Sequence, residues 1–402
     1  MSASNTYGRG ARILSIGIAS TGLMTFAYFS VASHVLGATS AKRIDLLWSV
    51  MFVVISVIYR PIEQLLSRTI AERSARGHSQ QPMRVPALIQ GSFAALFLVL
   101  ALAFEGPLTR AFEHQHDLYV ILVVGTLAYA ASYFARGWLA GHQRFGLFGG
   151  VVLMESVSRL CFALAVAVGI ASGQTAVALG IAAAPFVSLV VVPIAFTRGG
   201  RARPLAPTAD APITVDEADA ALAGPGTEAV QEAAAHDDLS LRRGGGFAVW
   251  VSGIMLSEQT LLNAAVLTVD ASSRNPALAG IVFNVMLIAR APLQLFQAIQ
   301  TSLLPHLTKL ATTAGHAAFA RAIRLTITAI AAFALTVAVV LLIAGPFLLR
   351  HVLFGQHHDY PGGGLALIGL GMGLHLTSGA LNQSALARDQ ARAAAACWII
   401  AA

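Results

Sequence analysis

Six ionisable side chains lie within long apolar runs of this sequence: Arg60, Glu63, Glu155, Arg159, Glu258 and Arg290. If such runs lie in hydrocarbon, each charge is costly and must face protein or a watery cavity. Guanidinium carries a rigid set of donors matched to phosphate and carboxylate oxygens. Arg60, Arg159 and Arg290, with Asn284 on the same run as Arg290, are therefore candidates to line a substrate cavity. Arg290 lies near the middle of its run, whereas Arg60 lies near an end, where snorkelling and helix anchoring serve equally well. Glu155 and Arg159 are four apart with the acid first, the favourable order for an ion pair within one helix. They either neutralise each other or face the cavity. Glu258, Gln259 and Asn263 form a second polar group, and a buried carboxylate of this kind can exchange a proton or hold a cation. Glu155, Glu258, Gln259 and Asn263 are thus the candidates for coupling to H+ or Na+; an ion pair between Glu258 and Arg290 is the structural alternative. Glu63 anchors a helix end or pairs with Arg60 or Arg68. Pro61 and Pro292 are candidate hinges, ordinary packing being the plainer reading.

None of these groups is arranged for covalent catalysis. The sequence has no nucleophile elbow, no Gly-Lys-Ser phosphate loop and no HExxH zinc motif. Cys161 and Cys397 lie in apolar runs with no metal spacing, and His114, His116, His357 and His358 lack a clear set of further ligands. No enzyme activity, no metal and no cofactor is expected.

The elements that position these residues follow from composition. Of 402 residues, 56% are apolar and 11% charged, with a mean hydropathy of +0.71. A soluble domain carries about a quarter charged residues, so most of this surface is meant for lipid. Apolar runs at about 13–36, 44–66, 86–104, 118–140, 147–170 and 176–197 precede a hydrophilic gap. Further runs follow at about 247–268, 277–303, 322–344 and 363–386, and 393–402 resembles the opening of another. At roughly 20 residues per crossing, these are ten spans and a fragment.

A net charge of +7 and a pI near 9.9 could suggest nucleic acid. The basic residues instead collect in strips between the runs. With a cytoplasmic amino terminus, eighteen Lys and Arg fall on the inside, five on the outside and three within spans. That bias is the positive-inside rule and sets the orientation; no nucleic-acid partner is expected. The gap, rich in Ala, Pro, Asp and Glu, is too poor in apolar residues to fold alone. It is read as a flexible cytoplasmic linker over 198–246, between a six-span lobe at 1–197 and a second lobe at 247–402 that is apparently truncated.

A short internal match supports duplication. An offset of 231 residues pairs Pro61 with Pro292, Glu63 with Gln294 and Gly22 with Gly253. Six spans per repeat give both lobes the same sense, related by an axis along the membrane normal. The expected fold is an all-α polytopic transmembrane bundle of two pseudo-symmetric lobes around a polar cleft.

Three runs carry a family resemblance: Gly17 to Gly22 (GIASTG), Tyr59 to Gly77 (YRPIEQLLSRTIAERSARG) and Phe134 to Phe145 (FARGWLAGHQRF). With the span layout, they resemble the polysaccharide-exporting flippases of the multidrug/oligosaccharidyl-lipid/polysaccharide superfamily. That resemblance implies an alternating-access protein of the bacterial inner membrane moving an undecaprenyl-diphosphate-linked sugar, or a related glycolipid, to the outer leaflet. Its implied partners are membrane lipid, the lipid-linked sugar, and glycosyltransferases or a polymerase of the pathway. Drug or cation antiport, lipid II flipping and a non-transporting scaffold are the alternatives, and cavity charge discriminates among the substrates.

Overall fold

The protein, analysed as a computed structural model, is described over residues 3–77, 83–190, 240–272, 302–313, 315–347 and 361–402. It is an all-α polytopic membrane bundle. The helices are α1 (Ala3–Val35), α2 (Ala38–Ile58), α3 (Arg60–Ala75), α4 (Arg84–Ala103), α5 (Glu105–Ala111), α6 (His116–Gly141), α7 (Phe145–Ala167) and α8 (Gly173–Leu189). After residue 240 come α9 (Leu241–Ser272), α10 (302–313), α11 (Gly315–Phe347), α12 (Gly362–Ala387) and α13 (Ala391–Ala401). Five of these, α4, α6, α7, α11 and α12, are long and apolar enough to cross a membrane.

Helix is forced on such segments because hydrocarbon offers no partner for backbone N–H and C=O groups. Their burial is one-sided. Only 17% of the most apolar stretch of α11 is covered by protein, and Leu335, Val339, Ile343, Leu367 and Leu374 stand exposed as a lipid-facing flank.

The run expected as one span at 44–66 is two helices. Pro61 has no N–H to continue the ladder, and the chain breaks at Tyr59 (φ −107°, ψ −26°), whose carbonyl accepts from the N–H groups of Ile62 and Glu63 at 3.1 Å. Helix α3 then continues past the expected boundary to Ala75. The candidate hinge Pro61 therefore stands in the first turn of a new helix. Helix α9 begins at Leu241, inside the interval expected as a linker, and residues 191–239 of that interval and its approach lie outside the described residues.

Glycine sets the close contact of α3 with α6. A Cβ on Gly137 of α6 would lie 2.9 Å from the Glu63 Cα and carbonyl oxygen of α3, and one on Gly141 would lie 2.6 Å from the Ile70 Cβ. Small residues of this kind let membrane helices approach backbone to backbone.

The two larger of three buried clusters organise the rest. One lies wholly within α1–α8 and includes Tyr28, Leu47, Met51, Tyr129 and Ile181. The other joins Ile62, Leu65 and Ile89 of α3 and α4 to Phe247, Val251 and Ile254 of α9 and to Met372 and Trp398. This joint core lies toward the end of the bundle that carries the arginine-rich segments 73–77, 142–144, 240–243 and 388–392.

Candidate functional site

Helices α6, α7 and α8 build a buried charge network. Glu155, 2% exposed, pairs with Arg136 and accepts a hydrogen bond from the Ser132 hydroxyl, with Ser188 Oγ at 3.4 Å. One turn along α7, Arg159 donates to Tyr129 Oη at 3.0 Å, Ser156 Oγ at 2.9 Å and Thr25 Oγ1 at 3.5 Å. Its guanidinium lies 4.5 Å from the Trp48 ring centroid, and that of Arg136 lies 4.6 Å from Tyr133. Such faces stabilise a desolvated cation.

The expected Glu155–Arg159 pair is therefore corrected. The carboxylate turns across to α6, where Ser132 and Arg136 lie one turn apart and bond it together. Arg159 is left to neutral oxygens and an indole. Arg136, counted among the eighteen inside basic residues by the charge pattern, is instead buried, because the acid at 155 supplies the partner that makes burial tolerable. Buried polar atoms Arg136 Nε, Arg159 Nε and Thr126 Oγ1 have no protein partner, so this region is polar beyond its own pairings.

A second group lies across α9, α12 and α13. Glu258 Oε1 is 3.3 Å from His375 Nε2, with the two side chains 12% and 19% exposed. The His375 ring meets Trp398 edge to face at 5.8 Å. Gln259 is buried beside it, whereas the Asn263 side chain lies outside the described residues. The proposed Glu258 partner Arg290, with Asn284 and Pro292, also lies outside them. His375, a single histidine in an apolar run, carried no signal of its role in the sequence.

Arg60 is half-buried at the start of α3, and both Glu258 and the buried Glu63 feel its charge. Glu63 also faces Arg136. The expected Glu63–Arg68 pair does not form: Arg68 Nη1 donates to Asp389 Oδ1 at 2.7 Å, and Arg243 Nη2 to Oδ2 at 2.8 Å. Asp389 occupies a left-handed position (φ 63°) in the turn between α12 and α13, which Asp tolerates better than most residues. Partial burial opposes its ionisation, but the two guanidinium groups outweigh it and hold the carboxyl below the ordinary range. Phe247 lies 5.3 Å beneath Arg68. At the opposite end Arg43 pairs with Glu113 and donates to Gln174 at 3.3 Å, tying α2 to α8. Among the described residues, no three His, Cys, Asp or Glu side chains group as a metal site.

No family model matches the chain, and no curated protein matches it. Solved structures do. A mutant of the Vibrio cholerae MATE transporter VcmN aligns over 98% of this chain and 86% of its own, with TM-score 0.74 and 14% identity. The MATE transporter ClbM in complex with Rb+ aligns at TM-score 0.67 and 12% identity, over 98% and 84% of the two chains. A Pyrococcus furiosus MOP-superfamily transporter aligns at 0.66 and 13% over the same shares, and is described as having a binding pocket of reverse polarity that suggests a different function. At these identities the likeness shows the fold: this chain has the architecture of the MATE transporters of the MOP superfamily.

That finding overturns the resemblance to polysaccharide-exporting flippases, and the geometry explains why the motifs misled. Gly137 and Gly141 of FARGWLAGHQRF press against Glu63 and Ile70 of the YRPIEQLLSRTIAERSARG run. A Cβ on Gly17 of GIASTG would meet the Gly149 Cα at 3.3 Å. All three runs thus carry helix contacts that a shared fold requires.

Proposed function

We propose that this protein is an alternating-access secondary transporter that exchanges an organic cation or drug for H+ or Na+. In this reading α1–α8 form one lobe and the helices after 240 form the other, and the segment between them is a linker. The arginine-rich end faces the cytoplasm, as the positive-inside rule requires.

One observation carries the choice of a cation: the environment of Glu258. Glu155 already has a guanidinium at bonding distance, which leaves its charge spent on the fold. Glu258 instead meets an imidazole at 3.3 Å, a weaker hold than a bonded guanidinium, which supports a carboxylate able to take a proton, a metal ion or a cationic substrate. The MATE-like architecture supports the reading, since structures with that fold include a multidrug resistance transporter and one bound to Rb+.

The junction of the two sets of helices at the arginine-rich end, with Arg68, Asp389 and Arg243 across it, fits a state closed toward the cytoplasm. Transport then requires that junction to part.

The test is uptake of a fluorescent organic cation into inverted vesicles, whose outer face is the cytoplasmic one, driven by an outward proton or sodium gradient. Glu258→Gln should abolish coupled uptake, and Glu258→Asp should retain part of it. A correctly inserted wild-type protein that moves no organic cation under either gradient would sink the proposal.

A further inference from the structure

A groove of about 420 Å³ runs between α11 and α12 at the arginine-rich end, lined by Ile323, Arg324, Ile327, Thr328, Ser384 and Arg388. We propose that it binds the phosphate headgroup of an anionic phospholipid in the cytoplasmic leaflet; the leaflet rests on the orientation proposed above, whereas the site does not.

The argument begins with charge. Arg324 and Arg388 are both exposed, and among the described residues neither forms an ion pair with an acid. The described residues of α10, α11 and α12 contain no Asp or Glu at all. The nearest carboxylate in sequence, Asp389, is taken up by Arg68 and Arg243. Arg388 is held at the groove by stacking 5.4 Å from the Phe319 ring. Two guanidinium groups therefore converge on one cavity without a counter-ion among the described residues.

The hydroxyls decide what kind of anion fits. Thr328 donates its proton to the Arg324 carbonyl at 2.9 Å, and Ser384 donates to the Leu381 carbonyl at 2.8 Å. Recognition thus falls to the two arginines, which suit the forked geometry of phosphate. A zwitterionic lipid would bring an ammonium group into the same field and gain less.

Position decides that the anion is a lipid. The groove is lined by Ile323 and Ile327 as well as by cations, and beyond it α11 and α12 expose Leu335, Val339, Leu367 and Leu374. A soluble anion has no use for that flank, whereas acyl chains do. Basic pockets between helices at this level of a membrane protein fit anionic headgroups.

The experiment titrates delipidated protein with phosphatidylglycerol or phosphatidylcholine and reads bound lipid by native mass spectrometry. Wild type should hold phosphatidylglycerol preferentially. Arg324→Gln with Arg388→Gln should weaken it by about fivefold for each guanidinium removed. Arg76→Gln with Arg84→Gln, the same loss of charge elsewhere at that end, should leave the preference intact. Equal weakening by both double variants would mean general attraction to a basic surface and overturn the site. Ala320 also lines the groove, so Ala320→Phe keeps both arginines but fills it; it too should lose the preference, and undiminished binding would overturn the proposal even if the arginine variants failed to fold. The readout is lipid and not transport, so a protein that moves no organic cation can still satisfy it.

Discussion

The Glu155–Arg136 pair shows what single residues contribute. Both side chains are buried, and the pair is completed by Ser132. Removing one partner leaves an uncompensated charge, which costs about 3–5 kcal/mol, whereas replacing both with apolar groups of similar volume is often neutral. Arg136→Met should therefore lower the melting temperature of the purified protein strongly. Adding Glu155→Leu should recover most of the loss. A double variant as unstable as the single one would show that the pair does more than neutralise itself. The sequence exposed half of this arrangement. Glu155 and Arg159 stood out because charges in apolar runs are conspicuous, but Arg136 sits where a span meets a basic strip. A signal was nonetheless present: Tyr129, Ser132, Tyr133 and Arg136 recur at helical spacing, a polar and aromatic stripe on one face of α6. His375 offered no comparable pattern, because its role depends on Glu258, more than a hundred residues earlier in the chain.

Helix existence was legible at the element scale because hydrocarbon leaves an apolar run no alternative. The observed α4, α6, α7 and α12 begin and end within a few residues of the apolar runs. What the pattern could not show was where one run holds two helices, as at Tyr59, or which glycines touch a neighbour. Gly137 and Gly91 make the contrast testable. A Cβ on Gly137 would meet the α3 backbone at 2.9 Å, and one on Gly91 meets nothing within 4 Å. Gly137→Ala should cost about 1–3 kcal/mol through overpacking, read as a lower melting temperature. Gly91→Ala should be neutral or stabilising by up to about 1 kcal/mol, since the helix loses less backbone entropy. Equal effects at the two positions would mean that α3 and α6 are not in backbone contact.

For the whole molecule, hydropathy conveyed the membrane bundle, while the flippase family implied by the motifs did not hold, because those motifs include packing that a superfamily can share. The contact between the two sets of helices was invisible, since Arg68 and Asp389 are separated by 321 positions and each reads alone as a solvated charge. Their junction yields a pH prediction. Asp389 has a folded pKa held below the ordinary value of about 3.9. Its contribution is therefore fully present above that value and is lost as pH falls through the depressed one. The side chain is 43% exposed, so solvent and salt screen the interaction to under about 1 kcal/mol, enough to shift a balanced equilibrium several-fold without unfolding the protein. Spin labels at Ser74 and Gln390 should report a single short distance at pH 7 and a growing long-distance population below about pH 4. Asp389→Asn should show that second population at pH 7, because the amide keeps the left-handed turn but cannot ionise, and raised salt should add little further. Distances that ignore both acid and Asp389→Asn would mean that the apolar core around Phe247 and Ile62 alone holds this end shut.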